Sequence, residues 1–173
     1  EGFGLVSVAS VDPTANAENL VKAFVDGNVT SADLSLSANA TRVSDANAAV
    51  ITIGVVGSAG ADAHSNTTGN TQVYFGSAST VTASGNVTGS AVANNRSNAK
   101  ATGGGGGVIG VGILESNANL TAGTTAYFNP NAQVLQAGNV ELSAVAVNTA
   151  KADTTAGTGG VVSVRGSQAT ARV

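Results

Sequence analysis

Residues 34–46 read LSLSANATRVSDA, residues 87–99 read VTGSAVANNRSNA, and residues 140–152 read VELSAVAVNTAKA. Set one above another, the three segments agree at every second position. Those positions hold Leu34/Val87/Val140, Leu36/Gly89/Leu142, Ala38/Ala91/Ala144 and Ala40/Ala93/Ala146. Arg42/Asn95/Asn148, Ser44/Ser97/Ala150 and Ala46/Ala99/Ala152 continue the series. The positions between them, from Ser35/Thr88/Glu141 to Asp45/Asn98/Lys151, are mixed and polar. A period of two belongs to a β-strand, whose side chains alternate between two faces. The small parity is therefore predicted to line an interior, with equivalent residues of successive copies stacked about 4.8 Å apart. Ala, Ser and Gly pointing inward imply opposed sheets that lie close together, so each coil should be flat rather than round. Arg42 interrupts the small column and is expected at a rim, where the strand leaves the core.

Two further landmarks recur in the same order. One is Ala23-Phe24-Val25, Val73-Tyr74-Phe75 and Ala126-Tyr127-Phe128. The other is a set of four apolar runs, Leu5–Val8, Thr52–Val55, Val108–Val111 and Val161–Val164, whose ends are spaced by 47, 56 and 53 residues. Self-similarity at such a period marks a stacked-repeat architecture. The predicted fold is all-β: a parallel β-solenoid (β-helix) with flat coils of about fifty residues and a thin Ala/Val/Gly core. A single domain is expected over 1–173, divided approximately into 1–50, 51–104, 105–157 and a partial 158–173. The first copy is about three residues shorter than the others between Phe24 and Leu34, which leaves the closure of its coil open.

Glycine marks the corners, as Gly103–Gly107 and Gly157-Thr158-Gly159-Gly160. Sharp corners need positive-φ conformations that glycine reaches readily. After the corner the strand alternates through Val6/Ile53/Ile109/Val162 and Val8/Val55/Val111/Val164. Its parity then slips near Leu114 and Ser167, which predicts a bulge. A short third strand returns through Val29, Val81 and Val134.

Composition supports strands over helices. Hydrophobic residues make up 42% of the chain but aromatics only 3%, so Ala and Val dominate, with 23 Gly and no Cys, Met or Trp. Thr, Val, Asn and Gly in this abundance weaken helix interiors and suit strands joined by tight turns. Charged residues are only 10% and the net charge is −3, so nothing here could neutralise a row of phosphates, and no nucleic-acid partner is expected. There is no membrane-length apolar run, and no membrane insertion is expected in this segment. The run that ends the sequence is strand-like, as expected of a segment cut from a longer polypeptide.

The stretch Ala126 to Ala144, with its Ala-Tyr-Phe followed by Ala-Gly-Asn-Val-Glu-Leu-Ser-Ala, resembles the repeats of very large filamentous adhesins of bacterial surfaces, the haemagglutinin-like and leukotoxin-type proteins. Gly103–Gly107 leading into Val108-Ile109-Gly110-Val111-Gly112 is similar to the same repeats. The resemblance implies a parallel β-helix, export to the cell surface, and a role as a stalk or adhesive fibre. It carries no catalytic residues across.

The candidate chemistry is sparse. Asp62 and His64 would project from one face of a strand, but a triad also needs a positioned nucleophile and oxyanion donors. An exposed polar patch is the plainer reading, and one His without Cys is a poor transition-metal set. Gly105-x-Gly107-x-x-Gly110 matches the dinucleotide fingerprint as a string, yet a strand follows where a helix is required. The calcium nonapeptide of β-rolls is missing, leaving isolated loop carboxylates around Asp12 and Asp26. No cofactor is expected. The six Asn-x-Ser/Thr sequons, at Asn28, Asn39, Asn66, Asn86, Asn95 and Asn119, exceed only slightly what this composition produces by chance.

The column Phe24/Tyr74/Tyr127 is the candidate contact stripe, with Val25/Phe75/Phe128 on the opposite parity. It either shields a corner or meets a partner, a glycan or another filament. The expected function is a non-catalytic structural segment of a secreted, extracellular surface adhesin or filament, stacked end to end on adjacent repeats or identical subunits. The alternative is a β-solenoid that binds a carbohydrate, another ligand or a host protein through the aromatic column. The scattered charges argue against a polysaccharide lyase or hydrolase.

Overall fold

The computed structural model describes residues 2–173, with side chains from residue 4 onward. Ten strands follow one another: β1 Gly2–Val11, β2 Thr14–Val25, β3 Asn28–Ser31, β4 Leu34–Phe75, β5 Thr80–Ala83, β6 Asn86–Gly106, β7 Ile109–Phe128, β8 Gln133–Gln136, β9 Asn139–Gly159 and β10 Val162–Arg172. Among the described residues there is no helix, and so none long and apolar enough to cross a membrane. Every strand pairing is parallel. The fold is all-β, with parallel strands in a nearly closed sheet.

The pairings form three ladders. The first half of β4 pairs with β6, and β6 with β9. The second half of β4 carries β1 and β2 on one side and β7 on the other, with β10 beyond β7. β3, β5 and β8 make a short ladder of their own. Leu34 pairs with Val87 and Val87 with Val140, a constant step of 53 residues. Phe24 pairs with Tyr74 and Tyr74 with Tyr127, steps of 50 and 53. The three residues missing from the first pass come out of the turns around β3, which still pairs with β5. The shorter pass therefore closes onto its neighbour.

The four apolar runs align differently from the sequence expectation. Val8 pairs with Ser58, Ser58 with Val111 and Val111 with Val164, giving steps of 50, 53 and 53 rather than 47, 56 and 53. The counterpart of Val108–Val111 is Val55-Val56-Gly57-Ser58, not Thr52–Val55. In β4 the buried parity runs on even positions from Ala38 to Thr52 and on odd positions from Gly57 to Thr67, so the chain turns its faces over between Thr52 and Gly57. Ile51, Ile53 and Val55 are exposed at that corner while Gly57 is buried. Apolar letters mark the outside here, which is why matching them as strings misplaced the register.

The same inversion removes the bulge expected near Leu114 and Ser167. Gly110, Gly112, Leu114, Ser116, Ala118 and Leu120 form one uninterrupted buried parity, and the β7–β10 register runs unbroken through Leu114 and Ser167. The irregularity lies elsewhere, between Val81 and Thr82 opposite β8. Gly107 turns the corner at φ 148, and a Cβ there would overlap the carbonyl oxygen of Gly54 in the pass below. The tight approach needs glycine for its missing side chain as well as its φ.

The interior is layered along the length of each pass. Next to the glycine corner lie Ala46, Ala48, Val50, Ala59, Ala61, Ala63, Ala99, Ala101, Leu114 and Ala118. At the far end Phe75 and Val87 pack against Val81 and Ala83 of the short ladder, with Ala38, Val73 and Ala91 beside them. Between these apolar layers runs a buried polar band. Ser44 Oγ lies 2.7 Å from both Ser65 Oγ and Thr67 Oγ1, and Ser65 Oγ lies 2.9 Å from Ser97 Oγ. These hydroxyls also donate to the carbonyls of Ser44, Ser65 and Arg96, so the band is internally satisfied.

Arg42 belongs to this band and not to a rim. It is 2% exposed. Its Nε and Nη2 donate to the carbonyl of Asn19 at 3.2 and 3.0 Å. Nη2 also donates to the carbonyl of Asn70 at 2.9 Å and to Thr71 Oγ1 at 3.1 Å. Nη1 donates to Asn95 Oδ1 at 2.9 Å, and Asn95 Nδ2 passes the chain on to Asn148 Oδ1 at 2.8 Å. Desolvation lowers the Arg42 pKa, but four oxygen acceptors drawn from the first two passes hold the cation. Room for the guanidinium comes from Gly69, at φ 126, where a Cβ would stand 3.0 Å from Nε and overlap the carbonyl of Asn19.

Candidate functional site

The aromatic stripe is set by strand parity. Val73 and Phe75 are inward on β4, so Tyr74 between them points outward, and the parallel register puts Phe24 and Tyr127 on either side of it. The ring centroids of Phe24 and Tyr74 are 5.2 Å apart with planes inclined by 6°. Those of Tyr74 and Tyr127 are 5.6 Å apart at 15°. Phe24 is 53% exposed and the two tyrosines are half-buried. On the inward side Phe75 and Phe128 stack at 4.5 Å and 19°. Two aromatic ladders thus run back to back through the end of the sheet.

Stacking along the ladder decides what the outward rings offer. Their faces are turned to one another, and Tyr74 has both faces covered. Edges point outward, flanked by the polar row Lys22/Gln72/Thr125. A sugar ring stacks on a free aromatic face, and here free faces occur only at the ends, on Phe24 and Tyr127.

Asp62 and His64 do share the outer face of β4, with His64 Nε2 3.0 Å from Asp62 Oδ2. Ser65, the next residue, points inward and is engaged by Ser44 and Ser97, so it is no nucleophile for the imidazole. The register adds a residue that the sequence pairing left apart: Asp12 Oδ1 lies 4.0 Å from His64 Nε2. The step of 50 read from Phe24 and Tyr74 carries Asp62 back to Asp12, whereas the misleading step of 47 does not. Asp62 also pairs with Glu115 on the following pass. Asp26 stands at the turn before β3, away from this cluster.

Gly105–Gly110 spans the end of β6 and the start of β7, so no helix N-terminus faces the glycines. Gly103–Gly106 line instead a groove of about 560 Å³ at the corner, together with Ile51, Ile53, Thr102 and Thr155. Its walls are mostly apolar, and it lies at the opposite end of the pass from the aromatic ladder. Comparison with protein-family models, with curated proteins and with solved structures gives no match to this chain.

Proposed function

We propose that the chain is a piece of a parallel β-solenoid with flat coils, serving as a non-catalytic structural segment of a secreted surface adhesin or extracellular filament. The observation that carries this reading is the repeat register: a 53-residue step throughout the β4–β6–β9 ladder and from β4 through β7 to β10, and a 50-residue step from β1 and β2 onto β4. It keeps like on like: Ala38 on Ala91, Ala46 on Ala99, Tyr74 on Tyr127. Such an arrangement lengthens by adding passes, each touching only its neighbours, and rises by about 4.8 Å per pass. Its product is a rod whose reach depends on repeat number, which is what a stalk requires. The adhesin assignment rests on the resemblance of Ala126–Ala144 and of the glycine corner to filamentous adhesin repeats.

The outermost passes support stacking on further repeats or identical copies. β1, β2 and the first half of β4 form one edge, and β9 and β10 the other. Each edge carries unpaired backbone groups, and Leu5 at 80% and Val161 at 86% exposure lie beside them. Heterologous contact between such edges grows open-ended fibres. For the aromatic ladder, edge-on contact with a protein partner or a neighbouring filament fits the ring geometry better than glycan stacking.

Sedimentation and negative-stain electron microscopy of the chain over a concentration series test the reading. The expected result is rods of constant width whose length grows with concentration. A monomer that persists at high concentration, with slow amide exchange in β1 and β9, would overturn it. A glycan array, read with the chain and with Tyr127→Ala, separates the carbohydrate-binding alternative.

A further inference from the structure

We infer that Asp12, Asp62 and His64 form a divalent transition-metal site of the zinc class, which fastens the first pass of the chain to the second. One oxygen from each carboxylate and one imidazole nitrogen lie within 4.8 Å of one another on the outer face. Around a tetrahedral zinc with bonds of about 2.0–2.2 Å, ligand atoms are separated by about 3.4 Å. The 3.0 Å from His64 Nε2 to Asp62 Oδ2 and the 4.0 Å to Asp12 Oδ1 bracket that separation, so small side-chain rotations complete the set.

A second observation points into the same place. Asp62 Oδ1 has no hydrogen-bond partner and no solvent contact of its own, while the carboxylate as a whole is 40% exposed and its Oδ2 meets His64. An oxygen with no partner of its own is free to take up a cation held beside it. Register adds a reason for a cation there, because Asp12, Asp62 and Glu115 stand on three successive passes of one column, and like charges directly opposite repel. Glu115 is turned aside by Asn117 Nδ2, which donates to its Oε1 at 2.7 Å. The cluster is also local. In the fourth pass Gln168 and Thr170 take the positions of Glu115 and Asn117, so the acidic column is not simply part of the repeat.

The donor set selects the metal. An imidazole nitrogen with two carboxylates suits zinc, nickel or copper, whereas calcium and magnesium prefer oxygen alone. Three protein ligands leave a fourth position for water or for a group from a neighbour. The place is mechanically apt as well. β1 and β2 form an edge interrupted at Asp12-Pro13, and Pro13 has no N–H to give the ladder. What holds the interruption is the single bond from the His64 amide to the Pro13 carbonyl, at 3.0 Å. A metal beside it would clamp the edge where its pairing is weakest.

Isothermal titration of the whole chain with Zn²⁺ tests the inference, with Co²⁺ absorption as the spectroscopic probe. The expected result is one saturable site per chain, with visible cobalt bands. His64→Ala and Asp12→Asn should each weaken binding at least tenfold and abolish the bands, while Asp153→Asn, on the other long ladder, leaves both unchanged. Circular dichroism establishes that the variants are folded, and zinc should slow exchange of the His64 amide. No saturable binding overturns the inference, as does binding that survives His64→Ala or that calcium displaces at equal concentration.

Discussion

Replacing Arg42 by alanine removes the donors of five hydrogen bonds from the middle of the interior. Four acceptors are left behind: the carbonyls of Asn19 and Asn70, Thr71 Oγ1 and Asn95 Oδ1. The last two belong to side chains that can rotate and find each other or water. The carbonyl oxygens are fixed by the backbone, and a stranded buried acceptor costs about 1–3 kcal/mol. Asn19 lies on the edge strand β2, where water can reach it, so its share is the smaller. Adding the lost packing of the aliphatic stem gives an expected destabilisation of about 2–5 kcal/mol for Arg42→Ala. Arg42→Lys keeps the charge but offers one nitrogen in place of a planar fork, and should cost about 1–3 kcal/mol. Urea titration followed by far-UV circular dichroism measures both, with midpoints compared at constant slope. If alanine lies within about 0.5 kcal/mol of the parent, or lysine is as damaging as alanine, the hydrogen-bond account of the polar band is wrong.

Three further outcomes are expected from the same measurement. Ala91→Leu, at a fully buried position packed with Ala38 and Val73, should lose about 1–3 kcal/mol through overpacking, whereas the outward neighbour Ser90→Asn should lose less than about 0.5 kcal/mol. Gly107→Ala meets both a positive φ and a backbone carbonyl in the pass below, so it should cost more than Gly166→Ala, where a Cβ finds open space. Tyr74→Ala breaks two ring stacks at once and should cost about 1–3 kcal/mol, more than Phe24→Ala at the end of the ladder.

The long straight runs were legible because nothing in them competes with the period of two. From Leu34 to Ala46 the small letters are the inward ones, and stacking three copies exposes the column. The aromatic landmark was legible for another reason: Tyr74 and Phe75 are rare letters in this chain, and their register could not be mistaken. The corner was not legible in the same way. There the inward positions hold Gly57, Gly110 and Gly112, whose signal is weak, and the conspicuous Ile53, Val55 and Ile109 face out. Arg42 was misread because a lone cation in a column of alanines looks like an exit from the core. Its four acceptors lie 23 to 53 residues away, and three of the four are backbone carbonyls or a hydroxyl with no sequence signature. The Asp12–Asp62–His64 cluster needed the correct 50-residue step, which the aromatic landmark held and the apolar landmark obscured.

An interior of alanines raises a question of uniqueness that the polar band answers. Ala46 and Ala48 pack with Ala59, Ala61 and Ala63, and sliding β4 by two residues on β6 still sets Ala38 on Ala93 and Ala46 on Ala101. A slip of one residue would expose the core, but a slip of two keeps the faces and costs little in packing. Only features that occur once along the pass can forbid it. The hydroxyl cluster of Ser44, Ser65, Thr67 and Ser97 and the Arg42–Asn95 pair are such features, since a two-residue slip of β4 on β6 would part both pairings, setting Arg42 opposite Ala93 or Ser97 and Ser44 opposite Asn95 or Ala99. The combined variant Arg42→Met, Ser44→Ala, Ser65→Ala, Thr67→Val, Ser97→Ala and Asn95→Leu removes the mutually bonded side chains of the band together and leaves the backbone carbonyls they served. Its stability should therefore change much less than the sum of the single losses. What it should lose is a single register. In a ¹H–¹⁵N spectrum the expected sign is more than one resonance for amides of β4 and β6, with far-UV circular dichroism still that of strands. One sharp resonance per amide, with exchange protection equal to the parent, would show that alanine packing and the glycine corners fix the register by themselves.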